Sequence, residues 1–218
     1  MADDDVVEAL KTLSTPVVSD ALDRLGIEGQ AGGIARITGT GTVVGRAWTL
    51  QYTPIGTEGG TVGDYIDDAL PGSIIVLANN VRTDVTVWGG LLSEVASYRG
   101  VVATVIDGTC RDTPRAVEVG YSLFARSHWM RTGKDRVRVE STQRPVSIGG
   151  ILVRPEDVLV GDADGVVVVP RERAEEIVKV ALKIEEAEQA IHHEAMQGMR
   201  LDEARRRHGY HQLQTKLD

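Results

Sequence analysis

Residues 87–112 read "VWGGLLSEVASYRGVVATVIDGTCRD", and this stretch decides the fold class. Within it, "VVATVI" (101–106) is an apolar run rich in β-branched residues, which suits a strand buried on both faces. Asp107-Gly108 is turn chemistry. Arg111 and Asp112 then stand at the carboxyl end of the strand, where open α/β sheets place ligands. Ahead of the strand, Gly89-Gly90 forms a bare backbone bend, and Leu92, Val95, Ala96 and Arg99 carry a helix that ends at Gly100. Upstream, Pro71-Gly72 makes a turn and "SIIVLA" (73–78) reads as a second buried strand. Strand, Gly-rich bend, helix, strand is a βαβ pattern.

Working outward, "STPVVSDALDRLG" (14–26) is a marked helix. Thr15 can cap it, Pro16 fits its first position and Gly26 can end it. Val18, Ala21, Leu22 and Leu25 form the apolar stripe, and Asp20 lies on roughly the opposite side. "GTVVGRAWTLQY" (41–52) alternates like a strand, and "VGDYIDDAL" (62–70) reads as a short helix. Beyond Arg111-Asp112, Thr113-Pro114 starts another short helix that ends at Gly120. From Tyr121 the pattern turns β-rich, with "YSLFAR", "RVRVE", "PVSIGG", "ILVRP", "DVLVGD" and "GVVVVP" as short strands curling against one another. A final helix begins near Arg171. The fold class is α/β, with a parallel section, a more antiparallel section and a long C-terminal helix.

The 218 residues suffice for one substantial domain. Hydrophobic content of 42% with 26% charged residues excludes a disordered chain, and 4% aromatics means a core of Val, Leu, Ile and Ala. A formal charge of -8 argues against a nucleic-acid-binding face, and the basic run Arg205, Arg206, Arg207 reads as a solvated tail. The single cysteine, Cys110, excludes an intramolecular disulfide and a Cys-based zinc site. It is either a reactive thiol beside Arg111 or a small buried side chain. The N-terminal "MADDDVVEAL" is too acidic for a signal peptide. No apolar run approaches the roughly 20 residues of a membrane span. A cytoplasmic protein is expected.

Three features invite chemistry. Amides at the Gly89-Gly90 bend can receive an anion at a helix N-terminus, or the bend is a plain tight turn. It is neither a Walker A loop nor a dinucleotide fingerprint. Arg111-Asp112 is either a structural ion pair or half of a metal and anion site, since Mg²⁺ takes one or two protein carboxylates and keeps most of its water. Along the last helix, the stripe Ile177, Ala181, Ile184, Ile191, Ala195 calls for an apolar residue at 188, and Glu188 stands there. Either that carboxylate has a partner or metal nearby, or the helix leaves the body of the protein and Glu185, Glu186 and Glu194 are merely solvated. The adjacent His192 and His193 offer no metal-protease spacing, His128 reads as a packing or hydrogen-bonding residue, and no serine-hydrolase elbow exists.

Together, "TPVVSDALDRLG", the 87–112 segment and "PVSIGGILVRPEDVLVGDADGVVVVPRERAEEI" resemble the RraA-like family across roughly residues 8–195. That family includes class II 4-hydroxy-4-methyl-2-oxoglutarate aldolases and regulators of ribonuclease activity A. The resemblance implies a swivelling β/β/α fold over residues 1–195 with 196–218 as a helical tail. It also implies a homotrimer or hexamer with sites between subunits. Asp112 matches the aspartate that holds a divalent metal, Mg²⁺ or Mn²⁺, largely through water. Arg111 matches the arginine at the substrate and enolate oxygen, and amides around Gly89, Gly90, Leu91 and Leu92 match the loop for the pyruvyl carboxylate. Asp20 and Glu188, with Glu185 as second choice, match acids supplied by the neighbouring subunit. Position 90, often acidic in relatives, is Gly90 here.

The implied activity is a metal-dependent retro-aldol cleavage of a 4-hydroxy-2-oxo acid to pyruvate, with oxaloacetate decarboxylation through the same enolate. The implied partners are a small 2-oxo acid and further copies of the chain, with no nucleic acid and no membrane. A Schiff-base route is disfavoured because no lysine falls in these motifs; Lys11, Lys134, Lys179, Lys183 and Lys216 sit in polar or helical contexts. The rival expectation is a non-catalytic protein that binds and regulates a ribonuclease.

Overall fold

The computed structural model describes residues 3–57 and 59–210. Its frame is a mixed sheet in which β2 (Val43–Pro54), β3 (Ser73–Ala78), β4 (Ala103–Cys110) and β5 (Ser122–His128) run parallel, with β1 (Ala35–Thr38) antiparallel on the outer edge of β5. Ile75 and Leu77 of β3 enter one core, and Ile74, Val76 and Ala78 enter another. Both faces are covered, so these strands read as continuous apolar runs rather than alternating ones.

Two helices cover the first face. α3 (Gly90–Tyr98) links β3 to β4, and α4 (Thr113–Glu118) links β4 to β5. Their Ala96 and Ala116 are fully buried against Ile75, Leu77, Ile106 and Leu123. The antiparallel section grows from the long strand β2. Its first half pairs with β9 (Val158–Gly161), which pairs with β10 (Val166–Val169), and its second half pairs with β6 (Val137–Thr142). The late strands therefore join the main sheet instead of curling into a unit of their own. Only β7 (Val146–Ile148) and β8 (Ile151–Val153) form a separate hairpin, and they cover the second face with Val146, Ile148 and Val153.

A third core lies where α1 (Asp3–Leu10), α2 (Thr15–Arg24) and α5 (Ala174–Met196) pack on β9 and β10 through Leu10, Val18, Leu22, Ile177 and Ala181. α5 starts only after a 3₁₀ turn at Arg171–Arg173, and "VGDYIDDAL" yields just the 3₁₀ turn Ile66–Asp68. α6 (Leu201–Arg207) folds back on α5: Ala204 is buried, and Arg207 and His208 lie 3.1 and 3.3 Å from Glu194. The basic run is thus only partly solvated, with Arg205 also placed 4.7 Å over the ring of Tyr210. Residues 211–218, Lys216 among them, lie outside the described residues, as do the first two of the acidic N-terminus. Among the described residues no helix is long and apolar enough to cross a membrane.

Two local expectations are corrected. Asp107-Gly108 is no turn. It lies inside β4, where the pairing with β5 shifts register. Asp107 is buried there, bonded to the Arg126 guanidinium and accepting the Gly149 N–H at 3.0 Å. A fully partnered carboxylate can remain in a strand that the local sequence would break. Thr15 does not cap α2 either. Ser14 occupies that position without a side-chain bond, and Thr15 donates its N–H (2.7 Å) and hydroxyl (2.6 Å) to Asp162, which supplies the negative charge the helix start favours.

Candidate active site

The chain leaving β4 is stitched to the loop before α3. Val87 N–H donates to Thr109 O at 3.2 Å and Arg111 N–H to Trp88 O at 2.9 Å. The loop is pinned in turn by Trp88, whose indole N–H reaches Ser93 Oγ at 2.9 Å and whose ring stacks on Tyr121. These bonds bring Gly89-Gly90 against Arg111-Asp112. The four residues, with Leu91 and Leu92, line one cleft of about 540 Å³ at the carboxyl edge of the parallel strands, a size that suits a small ligand.

Asp112 adopts a left-handed backbone, φ 57° and ψ 36°, immediately before α4, a conformation Asp tolerates better than most residues. Its Oδ2 accepts the Gly90 N–H at 3.0 Å and lies 3.6 Å from Arg111 Nε. Its Oδ1 accepts no hydrogen bond among the described residues. With the two side chains 40% and 52% exposed, the ion pair alone contributes little stability. The lack of side chains permits the close approach, more strictly at Gly89 than at Gly90. A Cβ on Gly89 would sit 2.9 Å from Asp112 Oδ2, and one on Gly90 would sit 3.1 Å from Arg115 Cβ and 3.2 Å from Asp112 Cβ.

The Gly90 amide is therefore spent on Asp112. Ser93 N–H already bonds to Gly89 O, which leaves the amides of Leu91 and Leu92 as the open donors of the first turn. Among the described residues no cluster of three His, Cys, Asp or Glu side chains could cage a metal ion. A single carboxylate with one uncommitted oxygen in a water-accessible cleft still fits a largely hydrated Mg²⁺ or Mn²⁺.

Asp20, Glu185 and Glu188 line no part of this cleft; they stand on α2 and α5. There α2 packs on α5, with Asp20 and Glu188 near enough for their charges to interact. Partial burial, followed by the charges of Asp20 and Glu185, raises the Glu188 carboxyl above its ordinary value. Cys110 is fully buried, and burial pushes its thiol up to about 11, so it is a packing residue. His128 is exposed at the end of β5 rather than packed.

Lys134 also lines the cleft, and sequence reasoning set it aside. The signal that could have found it is the neighbouring glycine. Gly133 N–H bonds to Thr86 O at 2.8 Å, and a Cβ there would meet that oxygen at 2.6 Å, so the turn is pressed against the loop that leads to Trp88.

The site is thus a helix start with open amides, a guanidinium and a carboxylate gathered at one edge of a mixed α/β sheet. Residues 15–168 match the RraA-like (Aldolase/RraA) profile, and the chain belongs to that family. Among its relatives, protein DlpA of Legionella pneumophila is 34% identical over 95% of this chain, which spans only about a third (34%) of that protein's length. A Halalkalibacterium halodurans protein with the provisional name 4-hydroxy-4-methyl-2-oxoglutarate aldolase is 29% identical over 84% of both chains. The crystal structure of an uncharacterized Pseudomonas syringae protein superposes with a TM-score of 0.87 at 38% identity, covering 93% of this chain and 97% of that one.

Proposed function

We propose that the protein is a divalent-metal-dependent carbon–carbon lyase that cleaves a 4-hydroxy-2-oxo acid to pyruvate and decarboxylates oxaloacetate. The observation that carries this is the convergence on one cleft of the Arg111 guanidinium, the half-committed Asp112 carboxylate and the two open amides of Leu91 and Leu92.

Leu91 and Leu92 receive the substrate's 1-carboxylate, aided by the α3 dipole. Asp112 would hold Mg²⁺ or Mn²⁺, which would supply Lewis-acid stabilisation of the enolate. Arg111 places fixed positive charge beside the same developing oxygen. In the retro-aldol direction the C3–C4 bond breaks, the 4-hydroxyl gives up its proton as C4 becomes a carbonyl, and the electron pair passes into the pyruvate enolate, which takes a proton at C3. Asp20 and Glu188 serve that proton traffic in a neighbouring subunit's cleft, within a trimer or hexamer. A carboxyl with raised proton affinity suits the task. Residues 1–195 form the functional unit, with 196–218 appended.

Oxaloacetate loses carbon dioxide to give the same enolate without a hydroxyl proton to remove. Its decarboxylation therefore tests Arg111 and Asp112 separately from removal of the hydroxyl proton. Turnover with Mg²⁺ that stops with EDTA is expected. Asp112→Ala should abolish it while leaving the oligomer, followed by light scattering, unchanged. Absence of any metal-dependent rate would instead favour the ribonuclease-regulator alternative, which needs no such convergence.

A further inference from the structure

We infer that Trp88 and Ser93 are a positioning pair, whose side-chain hydrogen bond holds the first turn of α3 so that the Leu91 and Leu92 amides meet the substrate's carboxylate. This rests on the function proposed above. A helix start whose amides stay open to a ligand lacks the capping side chain that ordinarily steadies it. Gly89 is the capping residue here and supplies none. Another anchor has to stand behind the turn, and Ser93 is placed for it. Ser93 is fully buried, its hydroxyl accepts the Trp88 indole N–H at 2.9 Å, and that hydroxyl donates to Gly89 O at 3.3 Å. The Ser93 N–H reaches the same carbonyl at 3.1 Å. Indole, hydroxyl and carbonyl thus close a ring around the bend.

Trp88 is itself well fixed. Its ring stacks on Tyr121 with centroids 5.9 Å apart and planes 9° from parallel. The Tyr121 hydroxyl lies 2.9 Å from the Thr104 hydroxyl, and the Tyr121 N–H bonds to Ala116 O of α4 at 2.9 Å. The Trp88 carbonyl takes the Arg111 N–H at 2.9 Å. That backbone bond keeps the bend against Arg111 with or without the indole, whereas the turn at 91–93 is steadied by the indole–hydroxyl bond. Removing the side-chain bond therefore acts on the amides and spares the guanidinium. A carboxylate keeps its charge while the neighbouring carbon–carbon bond breaks, so donors to it contribute equally in the ground state and the transition state. Weakening them raises KM and leaves kcat in place.

The test pairs pyruvate binding, by calorimetry, with oxaloacetate decarboxylation, both on the full chain in saturating Mg²⁺. Ser93→Ala removes the hydroxyl and keeps a good helix former. It should weaken pyruvate binding and raise the KM for oxaloacetate about tenfold each, with kcat held within about twofold. Trp88→Phe, which keeps a ring against Tyr121, should do the same, and the double variant should be no worse than either single one. Thr104→Val, which breaks a buried hydrogen bond on the far side of Tyr121, should leave binding and KM unchanged. Unchanged binding in Ser93→Ala, a fall in kcat as large as the rise in KM, losses that add in the double variant, or an equal effect from Thr104→Val would overturn the role of the pair and leave the proposed function standing. Failure of the unaltered protein to bind pyruvate, or to turn over oxaloacetate with metal, would overturn the proposed function and this inference with it.

Discussion

Gly89→Ala isolates the contact on which the site depends. Gly89 has φ -147° and ψ -175°, an extended conformation that alanine adopts without strain. The added methyl would lie 2.9 Å from Asp112 Oδ2 and 3.4 Å from Arg111 Nε. A relaxed carbon–oxygen contact needs roughly half an ångström more, so the carboxylate must withdraw and stretch its 3.0 Å bond from Gly90 N–H. A hydrogen bond to a charged group contributes about 1.5–3 kcal/mol. Asp112 is half exposed, so the lower end applies, and about 1.4 kcal/mol corresponds to tenfold. Apparent Mg²⁺ affinity, titrated through oxaloacetate decarboxylation, should therefore fall about tenfold, and kcat/KM at fixed metal at least as much. The melting temperature should move little, because the entropy removed from the unfolded chain, about 0.4–1 kcal/mol, offsets the poorer capping residue. Unchanged metal affinity and turnover would refute the reasoning, as would a large loss of stability that accounts for the lost activity.

Three further outcomes follow from charges elsewhere. Glu188 has a raised carboxyl, so the native state holds its proton more tightly than the unfolded chain does, and its presence costs stability as pH rises out of the ordinary carboxylate range. Glu188→Gln should raise the melting temperature near pH 8 and give no gain near pH 4; a gain that persists at pH 4 contradicts this. At Asp162 burial pushes the carboxyl up, but the Thr15 side-chain and backbone bonds, the Asp164 amide and the Arg36 charge outweigh it and lower it overall. Its contribution is then present at neutral pH and lost in acid. Asp162→Asn should cost about 1–2 kcal/mol near pH 7, measured by urea unfolding, and the cost should shrink as pH falls. Arg126→Met would leave Asp107, 4% exposed, with the Gly149 amide as its remaining hydrogen-bond donor. The expected loss is about 2–3 kcal/mol, below the usual range for a broken buried pair because the 22%-exposed Arg126 side chain admits water. A loss under about 1 kcal/mol would show that Asp107 does not depend on the guanidinium to remain buried in β4.

The parallel core was legible because its determinants are local. "SIIVLA" coincides with β3, and the Gly89-Gly90 bend marks the start of α3 within a residue. Arg111-Asp112 was visible as a pair just after a buried strand, but equally as a structural ion pair; that it faces Gly89-Gly90 across a cleft came only from the fold. What escaped depends on partners distant in sequence. Asp107 remains in β4 because Arg126 and Gly149 satisfy it, and Thr15 turns away from capping because Asp162 lies nearby, 147 residues on. Lys134 carries no periodic signal and reaches the cleft through bonds to Thr86 and Gly60. Asp20 and Glu188 were singled out individually by their positions on helices, but only the packing of α2 on α5 shows that their charges interact.

The most direct measurement is anomalous diffraction from crystals soaked with manganese and pyruvate. The expected result is a single manganese peak beside the Asp112 carboxylate, with pyruvate against Arg111 and the Leu91 and Leu92 amides. Pyruvate bound elsewhere, or an ordered lattice with that cleft empty of metal, would contradict the proposal.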